Sequence, residues 1–223
     1  AIAATSRDPK VACTVEDTTR HGGGPLRTDE FDVAGGAIAH ARSGAPREMS
    51  SPATLAAFVA HTLDEAEARG AAQTWLDLVD HGGGDGGGLE TSDGRVMPMP
   101  EIAGAIAQGV AMHASAHPED AGRHVDGVVA NQCLMATLGF EDALSRAGVI
   151  YLAASPETMV APGVPTRVAD AIASNAADPH AMAREIVSDV MRTKYAAGPF
   201  GAFAPAAAFD VLDCRPEHVA AAE

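Results

Sequence analysis

Short apolar runs that alternate with helical stretches constrain the fold of this chain more than any other feature. Three runs have the length and composition of buried strands: Leu76–Asp80, Val125–Ala130 and Val149–Ala154. The stretch from Pro100 to about Ser115 lies between the first two and carries apolar residues at helical spacing. Strands that alternate with helices favour a largely parallel sheet with helices on both faces. The sequence therefore predicts an α/β fold.

Further segments extend this pattern. Pro52 at a first helical position, with Ser50 or Ser51 as the N-cap, predicts a helix that runs to about Arg69 and ends at Gly70. The remaining predicted elements are a strand at Lys10–Val15 and helices at Cys133–Arg146, Thr166–Ser174 and Pro179–Tyr195. A chain of 223 residues suits one large α/β domain or two small ones.

A histidine and a cysteine follow two consecutive predicted strands directly. His81 comes after the first strand and opens His81-Gly82-Gly83-Gly84, and Cys133 comes shortly after the second. Ligands of open parallel sheets bind outside the carboxyl ends of the strands, so we expect the two side chains to share one sheet edge. Their separation, 133 − 81 = 52 residues, is close to the roughly 50-residue spacing of caspase-type proteases. A thiol beside an imidazole is an activated nucleophile, and the start of a helix at Cys133 would favour its thiolate, so these residues predict a cysteine peptidase.

Simpler readings of these residues remain open. Cys133 can be a buried, inert cysteine, and His81 can be an ordinary loop histidine. A second string, His21-Gly22-Gly23-Gly24, shows that the histidine motif alone is weak, but it follows a polar stretch rather than a strand. For Cys13 and Cys214 we favour a structural role in the core.

Other chemistries fit the sequence less well. An esterase needs a G-x-S-x-G elbow, and no serine has glycine at both of those positions. A phosphate-binding loop needs a lysine that is missing after Gly88. His113, His117 and His124 fall on a loop-prone stretch without clustered partners, so we expect no metal site.

The composition limits the partners. The formal net charge is −15 and the pI is about 4.8, so we expect no nucleic-acid partner. No apolar run approaches the roughly 20 residues that span a membrane. Three cysteines without short spacing do not predict a disulfide framework. The compartment, secreted or cytoplasmic, stays open, and only two lysines among 15 basic residues indicate a GC-rich, bacterial-like genome.

Four segments together resemble the clostripain family of cysteine peptidases. They are the stretch Glu48–Phe58, the loop Leu78–Gly84, the segment Cys133–Leu138 and the stretch Tyr151–Thr158. The match extends in order from about Val11 to Asp213. The resemblance implies a caspase-like α/β/α sandwich with a mostly parallel central sheet, formed by residues 1–223 as a single peptidase domain that lacks the family's first strand and helix.

The resemblance also assigns roles. It implies a cysteine endopeptidase in which Cys133 is the nucleophile and His81 the general base and acid. The backbone N–H groups of Gly82 and Cys133 become the oxyanion donors. Family members tend to be zymogens cut within the chain. No cofactor is implied, although calcium dependence is open.

Substrate binding is implied for five residues around the nucleophile: Asn131, Gln132, Ser155, Glu157 and Thr158. Asn131 stands where the family has an acidic residue that helps to hold a basic substrate side chain. The family preference for Arg or Lys before the scissile bond is therefore doubtful here, and Glu157 is the candidate for a replacement charge. The alternative is that the chain is a catalytically silent relative of these peptidases, which binds peptides or acts as a scaffold.

Overall fold

The computed structural model describes residues 11–19, 25–35, 37–91, 93–159, 163–164, 167–195 and 208–222. Lys10 and the His21–Gly24 string lie outside the described residues. The strands are β1 (Ala12–Thr19), β2 (Arg27–Ala34), β3 (Ala37–Gly44), β4 (Trp75–Val79), β5 (Gly88–Glu90), β6 (Val96–Met97), β7 (Gly127–Asn131), β8 (Tyr151–Ala154) and β9 (Asp210–Asp213). The helices are α1 (Pro52–Ala68), α2 (Met99–Ala116), α3 (Leu138–Arg146), α4 (Val168–Ser174), α5 (Pro179–Tyr195) and α6 (Pro216–Ala222).

These elements belong to two compact units. Residues 1–49 and 164–201 form the first, and residues 50–163 and 202–223 form the second. The first unit contains the antiparallel meander β1-β2-β3 together with α4 and α5. Its strands β2 and β3 were not predicted, because charged residues interrupt the apolar pattern of β2 and small residues make up most of β3. Pairs such as Arg42 Nε to Glu30 Oε2, at 2.9 Å, compensate the charge that β2 buries.

The second unit is built on a mixed sheet in the order β4-β7-β8-β9. Strands β4, β7 and β8 run parallel, and β9 pairs antiparallel with β8. The predicted mixed α/β architecture is confirmed. The mostly parallel central sheet is not confirmed, because β9, which has no apolar signature in the sequence, enters the sheet in the opposite direction.

Helices α1 and α2 cover this unit's core and run parallel to each other. A side chain at Gly109 would meet Val59 Cβ and the Ala56 carbonyl at 2.6 Å, so the helices approach closely there. Further along both helices, Asp64 contacts His113. Leu63, Ile102 and Ile106 are among the fully buried residues that result. Among the helices that the structure describes, none combines the length and the apolar character needed to cross a bilayer.

The predicted helix at Cys133–Arg146 begins five residues later than expected. Leu134 has a φ of 63°, which a right-handed helix cannot contain. Thr137 is the N-cap of α3, and its hydroxyl accepts the Phe140 N–H at 3.2 Å. The placement of Cys133 at a helix N-terminus was therefore wrong, because α3 begins five residues after Cys133.

Candidate active site

The loops that carry His81 and Cys133 leave the same edge of the sheet. In the parallel pair β4–β7, Val79 lies opposite Asn131, and each strand ends at that residue. His81 and Cys133 each follow two positions later. The two candidate residues thus emerge side by side at the carboxyl edge, as the strand pattern predicted.

Close backbone contact joins the two loops. A Cβ atom added at Gly82 would lie 2.3 Å from the Cys133 carbonyl oxygen and 2.9 Å from Gln132 Cβ. Real Cβ atoms do not approach backbone oxygens this closely, so only glycine fits at this position. This contact explains why the sequence has glycine at position 82. Without a side chain there, the histidine loop can lie directly against the cysteine loop.

The histidine loop folds back on itself as a tight hairpin. The Gly83 N–H donates to the Gly87 carbonyl at 2.8 Å, and the Leu89 N–H donates to the His81 carbonyl at 3.1 Å. Gly82 faces Gly88 between these two bonds, and the Gly82 N–H donates to none of the described residues. The His81 side chain is exposed, and within the described ranges its imidazole makes no hydrogen bond.

Hydrogen bonds from the loop after β8 fix the cysteine loop. The Leu134 N–H donates to the Glu157 carbonyl at 3.0 Å, and the Met159 N–H donates to the Cys133 sulfur at 3.2 Å. The Met159 N–H thus holds the Cys133 Sγ in place. Cys133 is half-buried, so the residue stays partly accessible. The Cys133 N–H, like that of Gly82, has no acceptor within the described part of the chain.

Backbone strain concentrates in these loops. Among the described residues, the two non-glycine residues with positive φ are Leu89 at 58° and Leu134 at 63°. Leu89 closes the histidine hairpin, and Leu134 follows Cys133. Left-handed backbone at a branched side chain costs free energy and tends to persist where a functional geometry requires it.

The three cysteines differ in environment. Cys214 is fully buried, and burial, with the charges of Glu141 and Asp213, raises its pKa to about 12. This agrees with the expected core role. Cys13 is half-buried on β1 in the other unit. Cys133 is therefore the described cysteine whose loop lies at the sheet edge against the loop of His81.

The five residues assigned to substrate binding all lie around Cys133, but in different environments. Asn131 is half-buried, whereas Glu157 and Thr158 are exposed. Gln132 is 1% exposed, and its amide oxygen and nitrogen have no hydrogen-bond partner among the described residues. The buried Ser155 hydroxyl lies 2.7 Å from the Ala208 carbonyl and accepts the Glu157 N–H at 3.0 Å. The substrate-binding roles stay predictions, with Glu157 and Thr158 the most accessible of the set.

Sequence reasoning missed a buried acid in β4. Asp77 lies between Leu76 and Leu78 and points to the opposite sheet face. The residue as a whole is half-buried, but neither carboxylate oxygen is reached by solvent, and neither accepts a hydrogen bond from the part of the chain that the structure describes. Burial raises the Asp77 pKa to about 7. The sequence does show an acid within the apolar run Leu76–Asp80. A single acid, however, does not indicate which face of the strand is covered.

The structure also groups histidines that the sequence assigned to a loop-prone stretch. His113 lies on α2 and His117 caps it, and both contact carboxylates of α1. Each metal-compatible grouping in the described residues includes at least one of these histidines. Ca²⁺ prefers oxygen ligands throughout, so these groupings do not bear on the calcium dependence that the family resemblance leaves open.

Comparison with known proteins gives matches in structure but not in sequence. No family model matches the chain, and no curated protein does. Its fold resembles "iotapain", a secreted C11 cysteine protease from Bacteroides thetaiotaomicron, with a TM-score of 0.62 and 14% identity over 96% of this chain and 59% of that one. A second structure of a secreted C11 protease from the same organism, in complex with an irreversible peptide inhibitor, has a TM-score of 0.56 and 13% identity over 82% and 48%.

A third similar structure is an inactive zymogen C11 protease from Parabacteroides distasonis. Its TM-score is 0.56, with 16% identity over 90% of this chain and 51% of that one. The chain thus spans about half to three-fifths of the length of the proteins that it matches. At this level of identity the likeness concerns the fold. The chain therefore has the fold of the C11, or clostripain-family, cysteine proteases, as the sequence resemblance predicted.

Proposed function

We propose that this chain is a cysteine endopeptidase that uses a dyad of Cys133 and His81. The observation that carries the proposal is the backbone contact of Gly82 with Cys133, which joins the loop of an exposed histidine to the loop of a partly accessible cysteine at the carboxyl edge of the sheet. The caspase-like α/β/α sandwich belongs to the same proposal. A neighbour of the same fold has been solved with a peptide inhibitor, which supports a peptide or protein as substrate.

The chemistry follows from the groups present. His81 accepts the thiol proton, and the Cys133 sulfur attacks the carbonyl carbon of the scissile peptide bond. The proton then passes from the imidazole to the leaving amine, and water hydrolyses the thioester. General acid–base assistance of this kind contributes about 10²- to 10⁴-fold in rate.

The oxyanion of the tetrahedral intermediate needs fixed donors. The N–H groups of Gly82 and Cys133 lack acceptors among the described residues, and they belong to loops in direct contact. Preorganised backbone donors of this kind are worth about 10²- to 10³-fold each. A third residue that orients His81 is not part of the proposal.

Activation by a cut within the chain is also proposed, on the family resemblance and on the zymogen among the structural neighbours. The segments 84–94 and 117–122 lie between His81 and Cys133 and are the candidate cut sites. Intact-mass analysis should then show fragments for the wild type and none for Cys133→Ala. The same fragments in both proteins would assign the cut to another protease.

The test of the dyad combines labelling with activity. Iodoacetamide near pH 7 should modify Cys133 before Cys214, whose thiol is buried and protonated, and before Cys13. Cleavage of a mixed peptide library should be abolished in Cys133→Ala and lowered at least about 100-fold in His81→Ala. His21→Ala, which alters the other His-Gly-Gly-Gly string, is the matched control and should retain activity.

Two outcomes would refute the proposal. Peptidase activity that survives Cys133→Ala would exclude this nucleophile. Equal labelling of the three cysteines, together with no cleavage by the wild type after limited proteolysis, would instead support the silent, peptide-binding alternative.

A further inference from the structure

A second group of ionisable side chains lies where α1 and α2 end. Asp64 and Glu67 come from the last turns of α1, and His113 and His117 come from the last turn and cap of α2. The Arg123 guanidinium donates to the Ala71 carbonyl at 3.0 Å, which ties this region to the loop before β4. The group therefore lies at the amino-terminal edge of the strands, away from Cys133.

Three donor atoms converge in this group. The Oδ1 atom of Asp64 is 2.7 Å from His113 Nδ1 and 3.5 Å from His117 Nε2. The two imidazole rings stack with their centroids 4.9 Å apart. The i,i+4 spacing of the histidines on one helix face is the spacing at which helices present two nitrogens to one metal ion.

The outer nitrogen of each histidine also faces a carboxylate. His117 Nδ1 lies 2.9 Å from Glu67 Oε2, and His113 Nε2 lies 3.5 Å from Asp120 Oδ2. Metal-bound histidines almost always donate their other ring N–H to such an acceptor, which fixes the tautomer. The group thus contains an inner set of donors and a carboxylate behind each histidine.

The buried position of His113 between two carboxylates is the independent observation that points to a ligand. Its side chain is fully buried, and within the described residues its Nε2 atom makes no hydrogen bond. Nδ1 lies 2.7 Å from Asp64 Oδ1, and Nε2 lies 3.5 Å from Asp120 Oδ2. An imidazole with one N–H can donate to only one of these carboxylates, so a cation bound at Nδ1 would satisfy the other contact.

We propose that Asp64, His113 and His117 bind one divalent transition-metal ion of the Zn²⁺ class, with Glu67 and Asp120 as the outer carboxylates. Two imidazole nitrogens and one carboxylate oxygen are a common zinc donor set, and Mg²⁺ and Ca²⁺ prefer oxygen. Tetrahedral zinc with bonds of about 2.0–2.1 Å separates its ligands by about 3.3 Å, so the 2.7 Å contact between Asp64 and His113 has to widen, whereas the 3.5 Å separation of Asp64 and His117 already fits. Asp64 is 44% exposed, which leaves a path for the ion and an open fourth position.

Direct binding tests the proposal. The full chain carrying Cys133→Ala is used, so that the active-site thiol and His81 cannot hold the metal together. Zn²⁺ titrated against a chromophoric chelator should give one equivalent of binding, and Co²⁺ should give a visible spectrum without thiolate bands. At 100 times Kd, Zn²⁺ should raise Tm by about 5–10 °C.

Variants locate the site. His117→Gln and Asp64→Asn should remove the one-equivalent binding, and Glu67→Gln should weaken it about 10- to 100-fold. His124→Gln is the matched control, because His124 is a neighbouring histidine outside the group, and it should bind as the parent does. Far-UV circular dichroism of each variant without metal verifies the fold, and His117 is the safest position because it is a third exposed.

Three results would overturn the proposed metal site. Absence of saturable Zn²⁺ binding in the folded parent would show that the group is an ion-pair network around a protonated His113. Binding that is unchanged in His117→Gln and Asp64→Asn would place the metal elsewhere. Ca²⁺ or Mg²⁺ binding as tight as that of Zn²⁺ would overturn the assigned metal class.

Discussion

The buried carboxyl of Asp77 should make the stability of this protein fall as the pH rises towards neutrality. Burial raises the Asp77 pKa from 3.8 to about 7, because both oxygens are removed from solvent and no hydrogen bond from the described residues compensates the charge. Between these two values the folded state holds a proton that the unfolded state has released. The free energy of unfolding therefore decreases with pH in this window, which is the reverse of the usual behaviour of a salt-bridged aspartate.

The size of the effect follows from the two pKa values. At 1.36 kcal/mol per pKa unit, the full difference amounts to about 4 kcal/mol, reached above pH 7. Between pH 5 and pH 8 the group should cost about 3 kcal/mol of stability. In a chain of this size that corresponds to about 5–10 °C in Tm.

Asp77→Asn isolates this contribution, because asparagine has nearly the same shape and does not titrate. Urea unfolding of the Cys133→Ala protein, with and without Asp77→Asn, should be measured from pH 5 to pH 8. The parent should lose about 3 kcal/mol more than the variant over this range. The penalty for burying the asparagine amide does not change with pH. Comparison of the slopes of unfolding free energy against pH therefore removes it. Asp142→Asn, on the surface of α3 and paired with Arg146, is the control that should keep the parent slope.

Equal pH dependence of the parent and Asp77→Asn would refute the reasoning, since it would mean that Asp77 ionises normally in the folded state.

Two further predictions concern the candidate active site. Gly82→Ala should lower kcat/KM at least about 10-fold, because a Cβ atom 2.3 Å from the Cys133 carbonyl must separate the two loops. Gly83→Ala is the control and should change kcat/KM little, because its Cβ would lie 3.6 Å from the nearest atom. Equal effects of the two substitutions would contradict the proposed contact. Asn131→Asp should raise the preference for Arg over Gln before the scissile bond about 10-fold or more, measured as kcat/KM on matched peptides, and an unchanged ranking would exclude Asn131 from the substrate pocket.

Much of the candidate site could be predicted from sequence because its position depends on local patterns. The apolar runs gave β4 and β7 to within two residues, and the helical spacing gave α2. A residue that follows a parallel strand must leave at the carboxyl edge, so the loops that carry His81 and Cys133 became neighbours once the strands were neighbours. The fold likeness to C11 proteases followed from the same segments.

Other features depend on contacts between distant residues, and no local pattern encodes them. Helix α3 begins at Leu138 because the loop before it bonds to residues 155–159 and turns at Leu134. Strand β9 pairs antiparallel with β8, and the pair of Asp64 and His113 joins residues 49 apart.

The sequence by itself determined the strands β4, β7 and β8, the helices α1 and α2, and which chemical groups follow the strand ends, because apolar periodicity and glycine act over a few residues. The tertiary structure decided that Gly82 touches Cys133, that Asp77 loses solvent, and that two histidines meet the carboxylates of another helix. These outcomes depend on which faces pack together, and packing is set by the whole core rather than by any one segment.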